Sequence, residues 1–166
     1  MKSIDLHIHT HKTISDADFT FDINVLEDYV KTANLNVIAI TNHNYFNKTE
    51  FEQIKDKLDI VVFPGVEVNL DGGHILVICP IEKIDAFADE CDTLNGLINT
   101  AEDNIDYNAF INTFPNYEDY LLIPHYDKKP RIKKSILELL KDEIIVGEVQ
   151  SYNKFILTKK DESMLI

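Results

Sequence analysis

The sequence is poor in cysteine, in positive charge and in long apolar runs. Its two cysteines, Cys79 and Cys91, are too few for a disulfide scaffold, so we interpret them as reduced thiols of an intracellular, cytoplasmic protein. No apolar run approaches the roughly 18–20 residues of a membrane span, and the N-terminus lacks the apolar stretch of a signal peptide. No repeat or flexible linker divides the chain. These absences predict a single domain without a membrane partner.

Positive charge is scarce relative to negative charge. Lysine and arginine number 16 against 29 aspartate and glutamate residues, which gives a net charge of −13. Such a surface repels phosphate backbones and excludes a simple electrostatic grip on nucleic acid. Hydrophobic residues make up 45% of the 166 residues, which is enough to form the core of one domain. It also has six histidines, three of them between residues 7 and 11.

Hydrophobic periodicity predicts strands that alternate with helices. Strands are predicted over 3–9, 37–41, 60–63, 66–70, 74–79, 121–125 and 144–149; helices are predicted after the N-caps Asp22 and Asn47, within 81–120 and over 132–140; no element is predicted after residue 152. Asp71-Gly72-Gly73 indicates a hairpin, and Pro64-Gly65 is predicted to interrupt a strand. The pattern favours an α/β fold with a mainly parallel sheet or barrel, whose ligands lie at the carboxyl ends of the strands.

His7 and His9 are the first candidate metal ligands. The first strand alternates strictly, which places Ile4, Leu6 and Ile8 on one face and Asp5, His7 and His9 on the other. Two histidines at i and i+2 of a strand are close enough to chelate one ion, although a solvated or hydrogen-bonded pair is the alternative. His11 could add a ligand or be solvated in the loop that follows.

Glu67 is a carboxylate among apolar residues on a strand that is predicted to be buried. A buried carboxylate needs a partner, which is either a metal ion or a lysine. His43, His74 and His125 each lie at a predicted strand end and are ambiguous when taken singly. Together, five of the six histidines lie at strand ends or on the polar face of the first strand, and this joint pattern indicates a polynuclear metal site.

These segments together resemble the PHP (polymerase and histidinol phosphatase) phosphoesterases. The matching motifs follow one another in order: Asp5-Leu6-His7-Ile8-His9-Thr10, Ser15-Asp16, Thr41-Asn42-His43-Asn44, Pro64-Gly65-Val66-Glu67, His74-Ile75-Leu76 and Ile123-Pro124-His125. The resemblance covers residues 3 to about 153 and is closest to PHP domains at the N-terminus of larger ATPase-containing proteins. It implies one PHP domain over 1–166, with a distorted (β/α)7 barrel that lacks its C-terminal strands.

The resemblance also implies a ligand set for up to three divalent ions. His7 and His9 would bind one ion and share Glu67 with a second; His74 and His125 would complete the second; Asp16 and His43 would hold the third. Asp18 is a rival to Asp16, and Asn42 stands where the family prefers an aspartate. Histidine-rich ligation suits zinc, manganese or iron better than magnesium. The candidate catalytic residues are Glu67, His125 and Arg131.

One family motif is missing from the sequence. The family normally ends in a Gly-Ser-Asp-x-His motif, and no histidine follows His125 here. We interpret the chain as an N-terminal fragment of a longer protein with an ATPase region, in preference to a natural variant with a reduced site. Arg131, the sole arginine, lies in the basic cluster 127–134, where it could grip a substrate phosphate or simply be solvated.

The expected function is hydrolysis of a phosphate mono- or diester by metal-activated water. Nucleotides and nucleic-acid ends are candidate substrates, and bound cations would offset the repulsion between these anions and the acidic surface. A non-catalytic PHP module that serves metal binding or assembly in a larger protein is the alternative. An amidohydrolase-type barrel, which also begins with His-x-His, ranks lower because the bridging position holds Glu67 rather than a lysine.

Overall fold

The computed structural model describes residues 2–126 and 129–148, which form a five-stranded sheet with helices. In chain order the elements are β1 (Ser3–Ile8), α1 (Ile23–Thr32), β2 (Leu35–Ile40), α2 (Lys48–Lys57), β3 (Val61–Leu70), β4 (Gly73–Ile78), α3 (Ile84–Leu97), α4 (Tyr107–Thr113), β5 (Leu121–Pro124) and α5 (Lys134–Leu139), with 3₁₀ turns at Ile81–Lys83 and Tyr117–Asp119. None of these helices is both long and apolar enough to cross a membrane.

The strands lie in the order β1-β2-β3-β4-β5. β2 pairs in parallel with both β1 and β3, whereas β4 is antiparallel to both of its neighbours, β3 and β5. Four strands therefore run in one direction, as expected for a mainly parallel sheet, and β4 alone is reversed. Because of this reversal, His74 at the start of β4 lies at the same end of the sheet as His125 after β5.

The sheet is curled into a half-barrel. β1 and β5 form its two edges, and in a flat sheet four strand spacings would separate them by roughly 19 Å. Instead, the imidazole rings of His7 on β1 and His125 after β5 have centroids 4.9 Å apart. The side chains on the concave face therefore converge from strands that are not neighbours in the sheet.

Alternating residues supply two apolar layers. Ile38, Ile40, Ile75 and Val77 pack with the helices in the larger core, whereas Ala39, Leu76, Ile78 and Ile123 form a smaller cluster on the other face. Glu67, His74 and His125 share the strand parity of the smaller cluster, so they lie on the same concave face but nearer its carboxyl end. The concave face is thus apolar at one end and polar at the other.

The predicted facing of β1 is wrong. The pairing with β2 shifts register between Asp5 and Ile8, which is a β-bulge. As a result Leu6 packs in the concave cluster while Ile8 packs in the larger core. Asp5 lies on the helix side, where its Oδ2 accepts a hydrogen bond of 2.7 Å from the Tyr29 hydroxyl of α1. The bulge therefore separates Asp5 from the two histidines that strict alternation had placed beside it.

The predicted break at Pro64-Gly65 is also wrong, because β3 continues through both residues. Pro64 ends the parallel pairing with β2, and Gly65 begins the antiparallel pairing with β4. A Cβ on Gly65 would lie 2.9 Å from Thr41 Cγ2 and 3.1 Å from the Val77 carbonyl oxygen, so only glycine fits between these two strands. The two residues mark the point where β3 changes partners.

The last predicted strand, 144–149, is not formed over its described residues. Glu148 alone makes a bridge, in parallel with His125, and the amide of Ile144 instead donates back to Leu140 in a turn. Val149 and the tail after residue 152 lie outside the described residues. So do Asp127 and Lys128 of the basic cluster.

The hairpin at Asp71-Gly72-Gly73 is confirmed, with positive φ at Asp71 and Gly72. Residue 73 must be glycine for a different reason, which is lack of space. A Cβ there would lie 2.1 Å from the Ile132 amide nitrogen and 2.7 Å from the Arg131 carbonyl carbon. We expect Gly73→Ala to lower the free energy of unfolding by about 1–3 kcal/mol, because the backbone must shift to admit the methyl group.

Gly96 offers a matched control for this substitution. It lies in α3, and a Cβ there would meet nothing within 4 Å. Gly96→Ala should therefore raise the free energy of unfolding by about 0.5–1 kcal/mol through helix propensity. Chemical denaturation of both variants measures the difference, and equal stability of the two would contradict the close approach of the 131–132 backbone to β4.

Candidate metal centre

Glu67 is the centre of the polar end of the concave face. It is completely buried, and ring nitrogens of five histidines lie near its two oxygens. The distances to Oε2 are 3.0 Å from His7 Nε2, 3.0 Å from His9 Nε2 and 3.2 Å from His43 Nδ1; those to Oε1 are 3.0 Å from His74 Nδ1 and 3.7 Å from His125 Nδ1. The five histidines that the sequence analysis singled out therefore converge on one carboxylate.

The backbone fixes Glu67 against the segment that carries His43. The amide of Glu67 donates to the Asn42 carbonyl at 3.0 Å, and the Asn44 amide donates to the Glu67 carbonyl at 2.8 Å, so that His43 and Glu67 form a parallel bridge. The side chain of Asn42 accepts from the amides of Thr10 at 2.6 Å and His11 at 2.9 Å. Asn42 thus ties the loop after His9 to the end of β2, which is an orienting role that an amide performs as an aspartate would.

Three ligand atoms have the spacing of one face of a coordination polyhedron. His7 Nε2 and His9 Nε2 are 3.1 Å apart, and each lies 3.0 Å from Glu67 Oε2. Nitrogen and oxygen ligands about 2.0–2.2 Å from a common ion lie about 2.8–3.5 Å from one another. A shared cation also removes the conflict between two ring nitrogens that face each other. These residues therefore fit a divalent ion.

His74 and His125 supply a second sign of fit. The buried Nδ1 of His74 makes no hydrogen bond although Glu67 Oε1 is only 3.0 Å away. The buried Nε2 of His125 likewise makes none, with Glu148 Oε2 at 3.0 Å. A nitrogen and an oxygen atom that are this close without forming a hydrogen bond are arranged as two ligands of one ion would be, because each ligand atom then points at the ion and not at the other ligand. Among the residues that the structure describes, four overlapping groups of three could hold metal: His7-His9-Glu67, His43-Glu67-His74, His9-Asp16-His43 and His7-His125-Glu148.

Asp16, and not its rival Asp18, lies at the centre. Its Oδ1 is 3.1 Å from His9 Nδ1, and its Oδ2 accepts from the Thr13 amide at 2.9 Å and hydroxyl at 2.7 Å. Asp18 is exposed and pairs with Lys12. Burial opposes ionisation of Asp16, but the contacts with Thr13 and His9 outweigh it and hold the pKa of Asp16 below its usual value.

His11 and Arg131 lie outside the convergence on Glu67. His11 Nδ1 contacts Glu50 Oε2 at 3.1 Å, and its ring stacks on Tyr45 with centroids 4.3 Å apart. It belongs to none of the potential metal groups among the described residues. Arg131 is exposed, and its backbone lies beside Gly73, the neighbour of His74. The structure therefore brings Arg131 near the rim of the centre through its main chain.

Glu148 is a member of the centre that sequence reasoning missed. Its carboxylate contacts His7 Nδ1 at 3.1 and 3.0 Å and His125 Nε2 at 3.0 Å. Its position at the end of the last predicted strand, on the same edge as the histidines, is the signal that could have found it. Acidic residues are common in this chain, so a single glutamate does not stand out in the sequence as a histidine does.

Charge is redistributed strongly within the metal-free centre. Burial opposes ionisation of Glu67, but the contacts with His7, His74 and His9 outweigh it and hold the pKa of Glu67 far below its usual range. Burial likewise opposes protonation of His7, yet Glu148 and Glu67 raise the pKa of His7 to about 9. The contacts of Glu148 with His125 and His7 overcome its burial and lower its pKa to about 2. The carboxylates are therefore ionised at neutral pH.

A cleft opens beside the centre, between the loop after β1 and helix α2. Its volume is about 710 Å³, and its wall combines apolar rings with polar groups: Thr10, His11, Phe19, Phe21, Glu50 and Gln53. Thr10 and His11 directly follow the ligand candidate His9 in sequence. The cleft therefore begins at the loop that directly follows His9.

The fold and the site together define a candidate histidine–carboxylate metal centre at the polar end of an α/β half-barrel. A family model of the PHP domain matches residues 5–159, and the chain belongs to this family. The suspected resemblance is thereby confirmed.

Comparison with solved structures concerns the fold. A candidate metal-dependent phosphoesterase from Bifidobacterium adolescentis is similar, with a TM-score of 0.56 and 10% sequence identity, over 98% of this chain and 84% of that chain. At this identity the likeness shows a shared fold and no more. No curated protein sequence matches the chain.

Proposed function

We propose that this PHP domain is a metal-dependent phosphoesterase that hydrolyses a phosphate mono- or diester with a metal-activated water. The observation that carries the proposal is the buried Glu67 carboxylate, which is approached by five histidine side chains from four different parts of the sheet. We also propose that the half-barrel is part of a distorted (β/α)7 barrel and that the domain is cytoplasmic, in keeping with two buried free cysteines.

The donor set supports two or three divalent ions, and we propose zinc, manganese or iron because imidazole donors dominate. Glu67 would hold one ion with His7 and His9 and a second with His74 and His125, and Asp16 and His43 would hold a third. The chemistry supplied by bound ions is activation of a water molecule and neutralisation of charge on the phosphate oxygens.

The protein's own groups bind and orient the substrate. Arg131 could place its guanidinium against a phosphate oxygen at the rim near His74, since a planar fork suits that geometry. The cleft beside His11 would take the leaving group, because it offers both ring surfaces and hydrogen-bonding groups. We propose a substrate class that includes nucleotides and nucleic-acid ends. An ATPase region and a completing Asp-x-His segment in a longer chain stay predictions.

A metal-dependence assay tests the proposal. The purified protein is stripped with chelator, reloaded with zinc or manganese, and assayed on p-nitrophenyl phosphate and bis(p-nitrophenyl) phosphate. We expect hydrolysis only after reloading and a loss of about 10²-fold or more in His9→Ala, because that change removes a ligand candidate. His11→Ala should retain the metal content of the unchanged protein, because His11 lies outside the potential metal groups.

The result also separates the alternatives. Hydrolysis that is indifferent both to chelator and to His9→Ala would refute the proposal. Metal binding without hydrolysis of either ester would favour the non-catalytic assembly module. Elemental analysis of the same samples gives the metal content that the comparison needs.

A further inference from the structure

Glu148 contacts two histidines that come from opposite edges of the sheet. Both of its oxygens lie within hydrogen-bond distance of His7 Nδ1, at 3.1 and 3.0 Å. Its Oε2 also lies 3.0 Å from Nε2 of His125. His7 belongs to β1 and His125 follows β5, so one carboxylate spans the open side of the half-barrel.

The contact with His7 fixes which ring nitrogen faces the centre. An ionised carboxylate only accepts hydrogen bonds, so Nδ1 of His7 donates to Glu148. When an ion is bound, Nε2 of His7 then carries the lone pair, and it is this atom that lies 3.0 Å from Glu67 and 3.1 Å from His9. Carboxylates that hold the second nitrogen of a metal-binding histidine fix its tautomer and orientation.

Asp16 makes the same arrangement on the neighbouring histidine. Its Oδ1 is 3.1 Å from His9 Nδ1, while His9 Nε2 faces Glu67 at 3.0 Å. Each of the two histidines therefore has a carboxylate at Nδ1 and Glu67 at Nε2, and Asp16 is in addition a candidate ligand of the third ion together with His43. The repetition on both histidines argues against a chance contact of Glu148.

The main chain places Glu148 where it can act in this way. The Glu148 amide donates to the Pro124 carbonyl at 2.9 Å, and its carbonyl accepts from the Tyr126 amide at 3.0 Å. The preceding Gly147 packs so closely on the Tyr126 ring that a Cβ would lie 1.8 Å from Cε2. Glu148 is thus held against the end of β5 rather than being free to leave the centre.

We propose that Glu148 is a positioning residue that holds His7 in the Nδ1-protonated tautomer and so directs Nε2 to a bound divalent ion. The inference rests on the proposed function only in that the centre must bind metal. It assigns Glu148 a role through His7. Because Glu148 also lies 3.0 Å from His125 Nε2 in a potential metal group, direct ligation of an ion by Glu148 is the competing outcome that the zinc stoichiometry tests.

Zinc binding and histidine NMR test the assignment. Zinc affinity and stoichiometry are measured with a competing chelator for the unchanged protein, Glu148→Ala, Glu148→Gln and the exposed control Asp142→Asn. We expect Glu148→Ala to lower zinc affinity about 10–100-fold with unchanged stoichiometry, and Glu148→Gln to recover part of it because its carbonyl still accepts from Nδ1. Asp142→Asn should bind as the unchanged protein does.

The NMR measurement is independent of activity. In the zinc-loaded protein, long-range ¹H–¹⁵N spectra should show Nδ1 of His7 protonated and Nε2 bound to zinc. Binding of zinc through Nδ1, or loss of one equivalent of zinc in both Glu148 variants, would overturn the assignment. So would Glu148 variants that bind zinc as tightly as Asp142→Asn. If the unchanged protein binds no zinc, the metal centre itself fails, which is a different outcome.

Discussion

Exchange of Glu67 for glutamine is expected to lower kcat/KM of the metal-loaded protein by about 10³-fold or more and to reduce its metal content. Glutamine has the same shape as glutamate, so the change removes the charge while the packing is kept. The oxygens of Glu67 lie within 3.2 Å of ring nitrogens from four histidines. A carboxylate can bind a cation at each of its two oxygens, whereas the amide of glutamine has one oxygen and one NH₂ group. The NH₂ group cannot bind a cation and would face ring nitrogens that are candidate metal ligands.

The same substitution should destabilise the metal-free protein. The pKa of Glu67 is held far below its usual value, so the carboxylate stabilises the fold at all pH values above its unfolded range near 4.5. Removing one partner of a buried ion pair costs about 3–5 kcal/mol, and Glu67 is completely buried. Chemical denaturation in the presence of chelator measures this loss.

Glu118→Gln is the matched control for Glu67→Gln. Glu118 is exposed in the 3₁₀ turn before β5, and the substitution removes the same charge. It should leave metal content, hydrolysis and unfolding unchanged. A Glu67→Gln protein that keeps full metal content and activity would show that the convergence of histidines on Glu67 has no chemical role.

Local signals in the sequence predicted much of the fold. Asp22 caps α1 by accepting from the Asn24 amide at 2.8 Å, and Asn47 caps α2 by accepting from the Glu50 amide at 3.0 Å. Both N-caps were predicted, because a short polar side chain before an apolar pattern acts within three residues. The strand ends that carry His43 and His125 could also be located from a local signal, because each follows a short apolar run.

The failures concern features that depend on distant strands. The bulge in β1 is set by pairing with β2, and the alternation of β1 alone carries no sign of it. Pro64 and Gly65 usually interrupt strands, but here they lie where β3 changes from β2 to β4. The 144–149 segment has strand composition, yet within its described residues only Glu148 pairs.

The part of the candidate site that could be predicted consists of residue types that are rare or unusual at their positions in the sequence. Five histidines and Glu67 could be singled out because each is unusual at a strand end or in an apolar segment. Glu148 was not singled out, because it is one of 29 acidic residues and its only signal, a place at the end of a predicted strand, is weaker than a rare residue type; the curl of the sheet brings it to His7. His11, which the sequence left open between a ligand and a solvated side chain, contacts Glu50 and lies outside the potential metal groups among the described residues.

Zinc affinity is expected to rise steeply between pH 6.5 and pH 9, with an increase of about 50-fold from pH 7 to pH 9 due to His7 alone. The pKa of His7 in the metal-free fold is raised to about 9, and its Nε2 must lose a proton before it can bind an ion. Each pH unit below that pKa therefore costs about a factor of ten in apparent affinity. Chelator competition at several pH values, together with proton release measured in buffers of different ionisation enthalpy, tests this dependence.

Stability of the metal-free protein should change with pH in the opposite direction. The pKa of His7 in the folded state lies above its unfolded value of 6.5, so its stabilisation is complete below pH 6.5 and is lost as pH rises through about 9. The lowered pKa of Glu148, about 2, adds stabilisation that is lost only as pH falls from about 4.5 through 2, so it does not affect this window. Melting temperatures with and without zinc should therefore diverge as pH rises. A His7→Gln variant should bind zinc more weakly with a flatter pH dependence, and an equal slope in both proteins would exclude His7 as the titrating ligand.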